Sequence, residues 1–147
     1  MKKILLLGAL ACSSLFVSAF AASSSESPVA VQPNKDSYAE IRFDTLKIDL
    51  GTFSESEPVR KCTFNFTNVG TAPLIIQQAF ASCGCTVPTF TKTPIKPGEK
   101  GQVDVTYNGA GKFPGKFSKT VTVRSNGRNE VVRLIIEGNM TEAKAKK

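Results

Sequence analysis

The sequence predicts an all-β domain, a two-sheet antiparallel β-sandwich of about seven strands preceded by a signal peptide. Three observations carry this prediction. Short apolar runs alternate with polar residues at a period of two, as Cys62, Phe64 and Phe66 do with Thr63, Asn65 and Thr67. Turn-forming groups such as Asn68-Val69-Gly70, Pro97-Gly98-Glu99 and Ser125-Asn126-Gly127 separate these runs at short intervals. No segment carries the 3.6-residue apolar period of an amphipathic helix.

The elements follow in order. Lys2 and Lys3 precede a mostly apolar stretch over 4–17, and Ala19-Phe20-Ala21 has the small-x-small form of a cleavage site, so residues 1–21 read as a signal peptide and the chain as exported, to the periplasm or beyond. Ser13 and Ser14 interrupt the apolar stretch, which falls short of the roughly 20 continuous apolar residues that a membrane span requires. Cys12, after Ala9-Leu10-Ala11, raises the alternative of a lipid anchor, but Ala9 stands where lipoprotein signals favour Leu and the apolar run ahead of it is short. Cys12 is therefore expected to leave with the signal. Residues 22–37, rich in Ser, Ala and Pro, hold too little apolar material to order themselves and read as a disordered linker. The folded domain is expected over 38–140, and the basic residues 141–147 read as a disordered tail.

Within the domain, Ile41, Phe43, Leu46, Ile48 and Leu50 alternate with charged residues until Gly51 closes the run. A strand through Cys62, Phe64 and Phe66 ends at Asn68-Val69-Gly70, another enters after Pro73 over 74–80, and a short piece spans 86–90. Val103, Val105 and Tyr107 alternate after the Pro97-Gly98 turn. Residues 117–124 and 131–137 flank Ser125-Asn126-Gly127, which signals a tight hairpin. The expected core is Phe43, Phe64, Phe66, Leu74, Ile76, Val103, Val105, Val121, Val123, Leu134 and Ile136. With no tryptophan anywhere, the Cys…Trp…Cys signature of antibody domains is missing.

The formal charge is +7, but the Lys and Arg residues are scattered along the chain, and a nucleic-acid partner is not expected of an exported protein with no basic cluster. The absence of histidine excludes Ser-His and Cys-His nucleophiles and any mixed Cys/His zinc site. Gly109-Ala110-Gly111-Lys112 follows a strand and precedes no helix, so it reads as a turn and not as a phosphate loop.

The pattern Phe64-Asn65-Phe66-Thr67-Asn68-Val69-Gly70, Pro73-Leu74-Ile75-Ile76, Ser82-Cys83-Gly84-Cys85-Thr86, Pro94-Ile95-Lys96-Pro97-Gly98, Val105-Thr106-Tyr107, Gly115-Lys116-Phe117 and Ser125-Asn126 resembles the bacterial domain of unknown function family 1573. That family is similar to the immunoglobulin-like branch that includes major-sperm-protein and Hydin-type modules. The resemblance implies an immunoglobulin-like sandwich and export. It implies no activity.

Cys83 and Cys85 are the residues with chemistry to offer. Two positions apart on an extended chain they face the same way, and Gly84 between them allows the bend that brings the sulfurs together. Three readings follow: a disulfide, either within the pair or from one of them to Cys62; a soft-metal site for Cu(I) or Zn(II); or a redox-active dithiol. Cys62, in phase with Phe64 and Phe66, reads as a small buried hydrophobe. The sequence is thus read as an exported, non-enzymatic binding or structural module of the cell envelope, with another envelope or secreted protein as partner. Pro88 and Phe90 are the expected apolar anchor. The alternative is a thiol-dependent redox or soft-metal protein built on Cys83 and Cys85. No catalytic residue, cofactor, dedicated metal ligand or small-molecule substrate is expected.

Overall fold

A computed structural model describes residues 36–143. The expected signal peptide, residues 22–35 of the expected linker and residues 144–147 of the expected tail lie outside the described residues. The alternating runs become eight strands: β1 (Ile41–Phe43), β2 (Lys47–Ser54), β3 (Val59–Asn68), β4 (Ile76–Ala81), β5 (Thr86–Phe90), β6 (Lys100–Asn108), β7 (Gly115–Ser125) and β8 (Val131–Thr141). They form two four-stranded sheets, ordered β1-β3-β6-β5 and β2-β8-β7-β4. The pairings are antiparallel except that β2 runs parallel to β8.

The eighth strand arises because the first alternating segment divides. The Asp44 N–H donates to the Asn65 carbonyl at 3.0 Å and the Thr45 hydroxyl to the Lys47 carbonyl at 2.9 Å, a bend that sends β1 to one sheet and β2 to the other. Gly51 does not end β2. It takes a φ of 74° at a register shift between Asp49 and Thr52, with its N–H held by the Asp49 carboxylate at 2.8 Å. The strand continues beyond this bulge and delivers Phe53 to the core. β8 likewise runs past Gly138 to Thr141, because Asn139, Met140 and Thr141 pair with that continuation of β2.

Every expected core residue is buried between the sheets, joined by Ala39, Ile41, Phe53, Ile95, Tyr107 and Met140. The two ends of the sandwich are closed by different chemistry. At one end the fully buried Asn68 side chain satisfies four backbone groups. Its oxygen accepts from the N–H groups of Gly70 at 3.0 Å and Glu40 at 3.4 Å, and its nitrogen donates to the carbonyls of Ala72 at 2.8 Å and Ile95 at 2.9 Å. Any Cβ at Gly70 would collide with the Tyr38 carbonyl, so the chain before β1 lies directly on this turn.

The expected tight hairpin is not formed. Residues 126–129 make a wider loop closed by the Ser125 N–H donating to the Glu130 carbonyl at 2.9 Å, and Gly127 has no positive φ. The Asn residues serve instead as latches. Asn126 accepts from the Ile75 N–H at 2.8 Å and donates to the Pro73 carbonyl at 3.1 Å, and Asn129 bonds the N–H and carbonyl of Ile41 at 3.2 and 2.6 Å. The opposite end is aromatic. Tyr107 and Phe117 stack at 4.2 Å, Phe53 meets both edge-on, and the Arg60 guanidinium lies 4.6 Å above the Phe53 ring.

Asn68→Ala strands the N–H groups of Glu40 and Gly70 and the carbonyl of Ala72, leaves the Ile95 carbonyl with the Leu74 N–H alone, and should lower the unfolding free energy by about 3 kcal/mol. Asn68→Asp should cost at least as much, because its oxygens face the Ala72 and Ile95 carbonyls with no donor to offer. Urea denaturation of both variants checks this, and a neutral Asp would show that the amide orientation is wrong.

Candidate functional site

The chain passes from one sheet to the other through Ser82, Cys83, Gly84 and Cys85, between β4 and β5. Ser82 fixes the start of the crossing, its N–H donating to the Thr120 carbonyl at 2.9 Å and its hydroxyl accepting from the Thr120 N–H at 3.3 Å. The Thr86 N–H then donates to the Cys83 carbonyl at 3.2 Å and closes a turn. Within that turn the sulfurs of Cys83 and Cys85 are in bonding contact, with the Cα atoms 5.3 Å apart. Of the pairings open to the sequence, the structure thus brings Cys83 to Cys85 and leaves Cys62 a free thiol.

Gly84 does not act as expected. The bend forms without a positive φ, and a Cβ there would meet nothing within 4 Å. The glycine leaves open space on the turn. Beneath the sulfurs stands the Thr86 hydroxyl, itself buried, at 3.6 Å from the Cys83 sulfur and 3.8 Å from that of Cys85.

The loop between β6 and β7 lies beside this turn. The Asn108 N–H donates to the Cys85 carbonyl at 2.7 Å, the Gly109 N–H to the Pro58 carbonyl at 2.9 Å, and the Lys112 N–H back to the Gly109 carbonyl at 3.0 Å, with Gly111 at a φ of 70°. Gly109-Ala110-Gly111-Lys112 is therefore the turn its context predicts. Cys83, Gly84, Cys85, Asn108, Ala110 and Lys112 together line a hollow of about 320 Å³.

Phe113, next along that loop, is 97 % exposed, and no reasoning from alternation singled it out. The expected anchor is corrected in the same region. In β5, Thr86, Pro88 and Phe90 turn toward the core and are buried or half-buried, so the residue offered to solvent is Val87, 58 % exposed. Val59, opposite Asn108 at the start of β3, is 44 % exposed at the same end.

Cys62 stands apart on β3, half-buried against the core rather than fully buried. Burial, and secondarily the Asp104 carboxylate on the neighbouring strand, push its thiol up from 9.0 to about 11. It stays protonated at neutral pH and is a poor nucleophile. Among the described residues, no group of three or more Cys, Asp or Glu is placed to hold a metal ion, and no helix is long and apolar enough to cross a membrane.

Comparison with known proteins agrees with this architecture. The model of the family described as protein of unknown function (DUF1573) matches residues 41–140. No curated protein matches the sequence. Among solved structures, a protein of unknown function from Porphyromonas gingivalis W83 is similar at a TM-score of 0.60 and 14 % identity, over 75 % of this chain and 50 % of that one. The secreted serine protease VesC from Vibrio cholerae is similar at 0.51 and 16 %, over 73 % of this chain and 24 % of that one. The PapD-like domain 7 of human CEP192 is similar at 0.51 and 15 %, over 90 % of this chain and all of that domain. The chain spans half the length of the first of these proteins and about a quarter of the second. At these identities the likeness shows a shared PapD-like, immunoglobulin-like fold, and the family carries no catalytic assignment.

The raised thiol makes a prediction with a definite sign. Between about pH 9 and about 11 the unfolded chain loses the Cys62 proton while the folded chain keeps it, so stability should fall as pH rises through that window. Below pH 9 the thiol is neutral in both states and contributes no slope. Denaturation curves across this range, compared with Cys62→Ser, check it; equal slopes in the two proteins would contradict it.

Proposed function

The chain belongs to the DUF1573 family, whose description assigns no activity, and on that premise we propose that it is an exported, non-enzymatic module of the cell envelope that binds another envelope or secreted protein. The binding surface is the end of the sandwich that carries Phe113, Val87, Val59 and the Cys83-Gly84-Cys85 turn. The export pattern of Lys2, Lys3, the apolar stretch and Ala19-Phe20-Ala21 supports the setting, and a cysteine pair held as a disulfide suits an oxidising compartment.

The observation that carries the proposal is the bare ring of Phe113 on a loop that is hydrogen-bonded to its surroundings. Burying a phenylalanine against a partner contributes about 1.5–3 kcal/mol. A loop already tied to Cys85 and Pro58 loses little further freedom on binding, so most of that gain survives as affinity. Aromatic anchors of this kind dominate protein interfaces. Lys112, which precedes Phe113 and lines the hollow by the cysteine turn, favours an acidic or carbonyl-rich rim on the partner.

The exported protein purified under mild conditions from its own envelope should migrate as a complex larger than the single mature chain. Phe113→Ser should weaken that complex at least tenfold, and Val87→Ser less, both with an unchanged thermal midpoint because neither side chain enters the core. Arg128→Ser, at the other end, should leave the complex intact. A complex indifferent to Phe113→Ser would overturn the proposal.

A further inference from the structure

We propose that Cys83 and Cys85 form a thiol–disulfide exchange site that accepts two electrons from a protein dithiol, a function beyond binding. Three features of the turn point to it. First, among the described residues the only partners of the buried Thr86 hydroxyl are the two sulfurs, at 3.6 and 3.8 Å. A disulfide sulfur is a weak acceptor and a thiolate a strong one, so this hydroxyl is worth most after the S–S bond has opened. Because it reaches both atoms, whichever cysteine leaves as thiolate receives the bond. Second, Lys112 lines the same hollow and adds a positive charge that favours a thiolate there. Third, Cys83, Gly84 and Cys85 line that hollow together, and Gly84 adds no side chain to it although its φ does not demand a glycine. The missing side chain leaves the path to the sulfurs clear for an incoming thiolate.

The exchange balances as follows. A thiolate of the partner attacks one sulfur of the pair, the Cys83–Cys85 bond breaks, and a mixed disulfide forms while the displaced cysteine leaves as a thiolate on the Thr86 hydroxyl. The partner's second thiolate then attacks the partner's own sulfur in that mixed disulfide. The partner departs with a disulfide and the remaining cysteine is released. Two electrons pass to the chain, and its two sulfurs take up the two protons that the partner's thiols gave to solvent. Cys62 takes no part, since its thiol is held protonated away from the pair.

The test equilibrates the full chain with glutathione mixtures, blocks free thiols by alkylation and counts them on Cys83 and Cys85 by mass spectrometry. The wild-type pair should open in mixtures that reduce thiol oxidoreductases and well before those that reduce ordinary structural bridges. Thr86→Val should need a glutathione ratio about tenfold more reducing, whereas Thr86→Ser, which keeps the hydroxyl, should titrate as wild type. Gly84→Val should slow the approach to equilibrium several-fold while leaving its position nearly unchanged. If Thr86→Val does not fold, Lys112→Gln takes its place and should shift the equilibrium in the same direction by about threefold. A pair that stays oxidised until structural bridges open overturns the proposal. So does a folded Thr86→Val, or otherwise a Lys112→Gln, that titrates with the wild type.

Discussion

A single buried amide holds this sandwich at one end. Asn68 closes β3, yet its four hydrogen bonds reach the chain before β1, the turn after β3, and the segment before β6. Without it, the Glu40 and Gly70 N–H groups and the Ala72 carbonyl would each lose the partner that this side chain gives them, while the Ile95 carbonyl would keep only the Leu74 N–H. Asn126 and Asn129 repeat the device from the loop between β7 and β8, fastening Pro73, Ile75 and Ile41. The strand β1 is only three residues long and among the described residues pairs only with β3, so it depends on these latches for its place. With one end fixed by directional bonds, the sheets are free to diverge in character at the other.

There the closure is aromatic and non-directional. Phe53, Tyr107 and Phe117 fill the space between the sheets, and Arg60 covers Phe53 from outside. Packing of this kind seals the core without consuming the backbone groups of the loops above it. The crossing at Cys83 to Cys85 and the loop that carries Phe113 can then bond to each other, through Asn108 and Cys85, and face outward as one surface. The division explains why the residues with chemistry to offer and the most exposed aromatic ring gather at the same end, away from the asparagine latches.

The fold was legible because its central strands obey one rule. Phe64, Phe66, Val103 and Val105 alternate with polar residues and are buried as that alternation demands. What escaped were places where local chemistry reads two ways. Gly51 has the look of a stop but serves as a bulge, so Phe53 and the last turn of pairing between β2 and β8 were invisible. Asn126-Gly127 has the composition of a two-residue hairpin, but a long-range partner for the asparagine side chain outweighs the local turn preference. Pro88 and Phe90 are apolar and near the cysteines, yet the parity of β5 turns them inward with Thr86 and leaves Val87 outside. The cysteine pair was visible as a pair, but its setting depends on Thr86, Lys112 and the space over Gly84, and spacing alone reveals none of these. Phe113 belongs to no periodic run, so only its exposure marks it.

The central claim is that the two ends of the sandwich have separate duties, one holding the fold and the other meeting a partner. Photo-crosslinking in intact cells tests it most directly, with a photoreactive aromatic residue placed at Phe113 in one strain and at the exposed Arg128 in another. The account predicts a discrete covalent adduct from position 113 and none from 128. Adducts from 128 alone would contradict it, as would equal adducts from both positions.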